Sequence, residues 1–82
     1  MTQYINPHQQ KLIVEKLYRS TDSITSLDKF NEQYEGKIGR LGERTLTLGD
    51  FARLMKQTAF SDYDIERFTK EITGLDLDLA DY

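Results

Sequence analysis

The sequence predicts a mainly α-helical protein: a small four-helix bundle or orthogonal helical array, with a short two-stranded β element. Two observations carry this prediction. Apolar residues recur at intervals of three and four along four separate stretches, which is the spacing of an amphipathic helix. Each stretch also follows a residue type that caps helix N-termini, and four short helices in 82 residues pack most simply as one compact array.

The first helix is predicted over residues 7–19. Asn6 is a good N-cap, and Pro7 suits the first helical position because its missing N–H would have no helical partner there. Gln9 stands at the capping-box position. The predicted buried stripe consists of Leu12, Ile13, Val14, Leu17 and Tyr18.

The second helix is shorter, and a capping box of Thr25 and Asp28 is predicted to open it. Gly36 is its predicted end, because glycine tolerates the left-handed backbone that follows many helices. Its apolar side is formed by Leu27, Phe30 and Tyr34.

A glycine-punctuated loop, "GKIGRLGERTLTL", follows. Glycines at three-residue intervals make continuous helix unfavourable. Leucine then alternates with threonine, which favours a brief strand at about 44–48. The predicted partner strand is 75–79, where "GLDLDLADY" alternates leucine with aspartate.

The third helix is predicted over 48–58 behind a capping box of Thr47 and Asp50, and the fourth over 62–73 behind Ser61 and Asp64. Gly74 is the predicted stop of the fourth helix. The two apolar stripes comprise Leu48, Phe51, Ala52, Leu54 and Met55, and then Ile65, Phe68 and Ile72.

Composition bounds the function. With 38% apolar and 30% charged residues, a chain of 82 residues has a small core, and a partner or a second copy would supply further burial. The absence of cysteine excludes disulfides, thiolate nucleophiles and thiolate zinc sites, and favours the cytoplasm. No apolar run is long enough to span a membrane, and the start lacks the pattern of a signal peptide.

Catalysis, cofactors and metals are not expected. His8 is the only histidine, and it lies at a helix start rather than beside a nucleophile. The stretch from Gly39 to Asp50 lacks most of the oxygen ligands that a calcium loop needs. The acids of the fourth helix are explained by capping and by the helix dipole.

Charge is unevenly spread over the chain. Residues 36–60 hold five bases and two acids, whereas residues 61–82 hold two bases and seven acids. A candidate basic site for nucleic acid or protein is formed by Lys37, Arg40, Arg44, Arg53 and Lys56. Helices three and four have the spacing of a helix-turn-helix, but the second would begin with three acids that phosphates repel.

The sequence divides into a helical domain, 1–74, and an acidic leucine-rich tail, 75–82. Burying three leucines is worth up to about 5 kcal/mol, which offsets much of the cost of ordering the tail at about 1 kcal/mol or more per residue and leaves a balance near zero. The tail therefore frays, pairs with the strand at 44–48, or docks on another protein. The predicted partner-binding residues are Leu75, Asp76, Leu77, Asp78, Leu79 and Tyr82.

These observations favour a small protein–protein interaction module, a regulator or inhibitor of the kind that phages and mobile elements encode. The expected partner is a larger protein, and a homodimer is a further alternative. A DNA-associated, helix-turn-helix-like regulator is the alternative function.

Overall fold

Four α-helices, two short strands and one 3₁₀ turn form the described part of the chain, which in this computed structural model comprises residues 2–22, 27–34 and 40–82. The predicted mainly α fold with a small β element is confirmed. In chain order the elements are β1 (Tyr4–Ile5), α1 (Pro7–Ser20), α2 (Leu27–Tyr34), β2 (Leu46–Thr47), α3 (Leu48–Lys56), α4 (Asp62–Thr73) and the 3₁₀ turn (Leu79–Asp81).

The start of α1 has the predicted capping box. The Asn6 side chain accepts a hydrogen bond from the Gln9 N–H at 2.8 Å, and the Gln9 side chain accepts one from the Asn6 N–H at 3.1 Å. Two N–H groups that the helix leaves without partners are thereby satisfied. The helix packs against α4 and α2, and ends one residue beyond the predicted boundary.

The boundaries of α3 and α4 follow from their caps. The Thr47 hydroxyl accepts from the Asp50 N–H at 3.0 Å, and the Ser61 hydroxyl accepts from the Asp64 N–H at 3.2 Å. Gly74 ends α4 with φ 75°, a left-handed conformation that favours glycine. The α4 bounds match the predicted 62–73, whereas α3 ends two residues before the predicted 58.

The second helix runs over Leu27–Tyr34, and Leu27 and Phe30 bury the predicted apolar side. Thr25, the predicted cap, and Gly36, the predicted stop, lie outside the described residues.

The β ribbon corrects the predicted strand pairing. Strand β2 lies within the predicted segment 44–48, but its antiparallel partner is β1, with Tyr4 opposite Thr47 and Ile5 opposite Leu46. The pairing with 75–79 is therefore wrong. The physical reason is that Ile5 buries its side chain completely just before α1 starts, which holds β1 beside β2.

One hydrophobic core joins all four helices, the ribbon and the segment after α4. Its side chains with no solvent exposure are Ile5, Ile13, Val14, Leu17, Phe30, Phe51, Ala52, Met55, Ile65 and Leu79.

An aromatic cluster closes one end of this core. Tyr18 contacts Phe60 edge-on, with ring centroids 5.1 Å apart, and Phe30 lies 4.8 Å from the ring of Tyr34. Burial raises the pKa of the Tyr18 hydroxyl, and the neighbouring Tyr34 contributes to the same shift.

Two buried side-chain amides hold the loop before β2. The Gln10 amide nitrogen donates to the carbonyls of Ile5 and Arg44, both at 2.9 Å, and its oxygen accepts from the Gly42 N–H at 2.7 Å. The Asn31 side chain pairs with both main-chain groups of Leu41 in the same manner. These bonds satisfy backbone groups that would otherwise be buried without partners.

Candidate protein-binding surface

The leucines predicted to contact a partner belong largely to the core. Leu79 is fully buried, Leu77 is 7% exposed, and Leu75 packs against the same core at its edge. The Leu79 N–H donates to the Glu66 carboxylate at 2.7 Å, which ties the chain back onto α4. Residues 75–82, here called the LDLD segment, thus pack on the helices with Leu77 and Leu79 inward, and Leu77 also lines a cleft described below.

The far end of the LDLD segment lies on α3. The Lys56 ammonium donates to the main-chain oxygen of Tyr82, and the Arg53 guanidinium lies 5.8 Å from the Tyr82 ring centroid. Gly49 leaves room for this ring, since an added Cβ would lie 3.2 Å from its Cε1 atom. Arg53 and Lys56 of the predicted basic site thus contact Tyr82 of the predicted partner-binding site.

A shallow cleft of about 330 Å³ borders this contact. Polar and apolar surface contribute about equally to its lining, which consists of Thr2, Gln3, Thr47, Leu48, Gly49, Arg53 and Tyr82. The Leu48 N–H donates to the Gln3 carbonyl at 2.8 Å, so one of the main-chain donors at the start of α3 is already paired.

The predicted basic residues have nearby acceptors. Arg40 pairs with Glu43 at 2.5 Å, and Arg53 pairs with Asp50 at 3.1 Å. Arg44 is exposed, and its carbonyl accepts from Gln10. Lys37 lies outside the described residues. Arg53 and Lys56 come together at Tyr82.

A second surface lies on the outer side of α4, around Tyr63. This side chain is 68% exposed, more than any other large apolar side chain in the described ranges. The Arg67 guanidinium lies 5.5 Å from the Tyr63 ring centroid and 4.5 Å from that of Phe68. Asp64 accepts a hydrogen bond from Arg67 at 3.4 Å. Cation–π contacts of this kind attract the guanidinium to the ring faces.

Between this face and the LDLD segment lies an open cleft of about 280 Å³, here called the Tyr63 cleft. Lys70 and Asp76 form an ion pair of 2.9 Å across it, and the Asp76 side chain is 92% exposed. The complete lining consists of Tyr63, Glu66, Arg67, Lys70, Asp76 and Leu77. Asp76 and the exposed edge of Leu77 are thus the two predicted partner-binding residues that the structure brings to this cleft.

Sequence reasoning missed Tyr63, Arg67 and Lys70 as site residues. Their spacing of four and three places them on one side of α4, opposite the buried Ile65. An aromatic residue on the polar side of an amphipathic helix is the signal that would have found them.

The described residues hold no group of three or more histidine, aspartate or glutamate side chains that could bind a metal ion. His8 is exposed in the first turn of α1. None of the helices in ranges 2–22, 27–34 and 40–82 is long and apolar enough to cross a membrane.

Comparisons with models of known protein families, with curated protein sequences and with solved structures find no match to this chain. The chemistry of the two clefts is therefore the basis for inferring a function.

Proposed function

We propose that this protein is a small non-catalytic interaction module, a regulator or inhibitor that acts by binding a larger protein through the Tyr63 cleft. The observation that supports this most is a 68% exposed tyrosine stacked with an arginine beside an apolar edge. Tyrosine and arginine are the residue types that most often dominate the binding energy of protein interfaces, together with tryptophan.

The geometry of the cleft favours binding at low entropic cost. Tyr63 and Arg67 lie one turn apart on a helix, and the stack with Phe68 restrains the guanidinium before any partner arrives. An interface that immobilises fewer flexible side chains retains more of its binding free energy. The ring of Tyr63 would then cover a partner side chain, with Leu77 forming the opposite wall.

The surface available is sufficient for a specific complex. A standard interface buries about 800 Å² on each partner. That is roughly a sixth of the 5086 Å² accessible surface of this chain. The outer side of α4 together with residues 75–78 would supply the centre of such a patch, and neighbouring polar residues would form its rim.

DNA binding through α3 and the basic loop is the alternative proposal, and it has less support. Arg40 and Arg53 already pair with carboxylates, and Lys56 is engaged by Tyr82. Binding to a random 20-base-pair duplex that falls steeply between about 50 and 200 mM salt would favour this alternative.

Site-specific photo-crosslinking tests the proposal. A benzophenone amino acid would replace Tyr63 in the full chain, and Tyr4 in a matched control. Tyr4 suits this purpose because it is 58% exposed and lies on β1. We expect one discrete adduct from native lysate with the probe at position 63 and none at position 4, with the captured protein identified by mass spectrometry.

The captured protein, once purified, allows a quantitative test. Tyr63→Ala should weaken its binding by at least about tenfold, the loss of roughly 1.4 kcal/mol that marks an important interface residue. Tyr4→Ala should change affinity less than twofold, and circular dichroism should show the same helicity for both variants. Equal losses for the two variants, or no loss for Tyr63→Ala, would contradict the proposal.

A further inference from the structure

We propose that the segment docking in the Tyr63 cleft is basic: one apolar side chain seats between Tyr63 and Leu77, and flanking lysines or arginines meet the acids around them. This inference rests on the proposed function and specifies the chemistry of its partner. It is carried by the distribution of charge around the cleft.

Acids outnumber bases in α4 and the LDLD segment, which pack against each other. The cleft lining itself holds two acids, Glu66 and Asp76, and two bases. Residues 61–82 carry seven acids and two bases. The two bases, Arg67 and Lys70, both line the cleft, and each is already paired with a carboxylate, at 3.4 Å and 2.9 Å. Glu71 pairs with Lys16 of α1 at 2.5 Å. The other acids of α4 and the LDLD segment leave a negative surplus, so a cationic partner is attracted and an anionic one is repelled.

Asp76 is the best-placed group for a partner cation. Its side chain is 92% exposed, so it can accept a second cation from solvent while its contact with Lys70 persists. Asp62 is also exposed and lies one turn before Glu66, which lines the cleft. A partner with cations on both sides of its apolar residue would meet Asp76 on one wall and Asp62 near the other.

The apolar part of the cleft suits a protein side chain. Its volume of about 280 Å³ lies at the lower edge of small-molecule pockets, which span about 300–1,000 Å³ and enclose most of the ligand. The cleft is instead open to solvent between Tyr63 and Leu77. A side chain presented by a larger surface can use such a cleft because the surrounding contacts exclude water from it.

A second copy of this chain fits the surface poorly. A two-fold dimer would place the same patch against itself, so that two surfaces of the same net negative charge would come together. Nucleic acid meets the same repulsion. The charge surplus therefore selects a basic protein segment among the occupants considered.

Nuclear magnetic resonance of the full ¹⁵N-labelled chain with synthetic peptides tests the inference. The probe is a nine-residue peptide with a central phenylalanine between two runs of four lysines, and its twin carries glutamate in place of every lysine. The basic peptide should shift the amide signals of residues 63, 66, 70, 76 and 77, with an apparent Kd that rises at least fivefold between 50 and 300 mM NaCl. The acidic twin should shift none of them.

Matched charge reversals complete the test. Asp76→Lys should weaken binding of the basic peptide at least threefold. Glu32→Lys makes the same charge change at an exposed position of α2 and should weaken binding less than 1.5-fold. Shifts spread over the whole surface, equal effects of the two reversals, or equal binding of the acidic twin would overturn the inference.

Affinity measurements with the captured partner distinguish failure of this inference from failure of the proposed function. If Tyr63→Ala abolishes its binding while Asp76→Lys leaves the affinity unchanged, the interaction module stands and the basic character of the partner is wrong. If neither substitution affects binding, the proposed function itself fails.

Discussion

Replacing Leu79 by alanine is the most direct test of the place of the LDLD segment in the structure. Leu79 is fully buried in the segment that follows α4. Its N–H bond to Glu66 involves the main chain and survives the substitution. The change therefore removes buried apolar atoms and leaves the backbone contact in place.

The expected cost is about 3 kcal/mol, within the 2–5 kcal/mol range of leucine-to-alanine changes in cores, because lost burial and the residual cavity both contribute. A chain of 82 residues has a total stability of roughly 4–12 kcal/mol at about 0.05–0.15 kcal/mol per residue. The substitution should thus remove between a quarter and three quarters of the free energy of unfolding.

Urea denaturation followed by circular dichroism at 222 nm measures this loss. With a slope of about 1 kcal/mol per molar urea, the midpoint should fall by about 3 M, or the variant should be partly unfolded without urea. Asp81→Ala, an exposed neighbour, should change stability by less than about 0.5 kcal/mol. A similarly small change for Leu79→Ala would refute its assignment to the core and restore the leucines as candidate partner contacts.

Further predictions concern the loop, the helix end and the aromatic cluster, and the same urea titration tests them. Gly42→Ala should cost about 2–4 kcal/mol, since its φ is +85° and an added Cβ would lie 2.3 Å from Leu27 Cδ2. Gly74→Ala, with φ +75° and open space, should cost only about 1–2 kcal/mol, and an equal cost at both glycines would refute the predicted clash. Gln10→Leu should cost about 2–4 kcal/mol by leaving buried backbone groups unpaired, and a neutral effect would contradict that role. The folded state holds the Tyr18 proton more tightly than the unfolded chain does, so the raised pKa contributes stability that is complete below pH 10.0 and is lost as pH rises through the folded pKa. Tyr18→Phe should therefore reduce the fall in the free energy of unfolding between pH 9 and 11. An unchanged fall would refute this role of Tyr18.

Helix boundaries are the part of the fold that the sequence predicts best, because capping is local chemistry. Asn6 and Ser61 accept hydrogen bonds from N–H groups three residues later, as their spacing predicts. Gly74 adopts the left-handed conformation expected of a helix stop. Each of these interactions is complete within four residues, so no knowledge of distant contacts is needed.

The ribbon shows where local patterns fail. Alternating leucine and threonine indicate β2, but the two residues of β1 contain no alternation to detect, and β1 is held in place by long-range contacts. Gln10 bonds to Ile5 and Arg44, the second of which is 34 residues away. A buried glutamine is also indistinguishable in sequence from a surface one, because its side chain suits both environments once it is hydrogen-bonded.

The LDLD segment shows a different limit. Alternating leucine and aspartate is typical of a strand, but a 3₁₀ turn at Leu79–Asp81 redirects the chain instead. In this turn the Asp78 side chain accepts from the Ala80 N–H at 3.0 Å, and Glu66 accepts from the Leu79 N–H. The bond to Glu66 depends on α4 lying beside the segment, and the alternating pattern of the segment itself does not reveal this neighbour.

The burial of these leucines also changes where recognition can occur. A segment whose apolar side chains complete a small core is costly to release, since each buried leucine is worth about 1.5–3 kcal/mol. While the segment stays folded, a partner can contact Asp76 on its polar side and the outer edge of Leu77. Both face Tyr63 on a regular helix, and a rigid helix positions contacts more accurately than a loose tail does. The acids predicted to meet bases at the rim of an interface thus keep that proposed role, while the leucines between them stabilise the surface on which those acids are displayed.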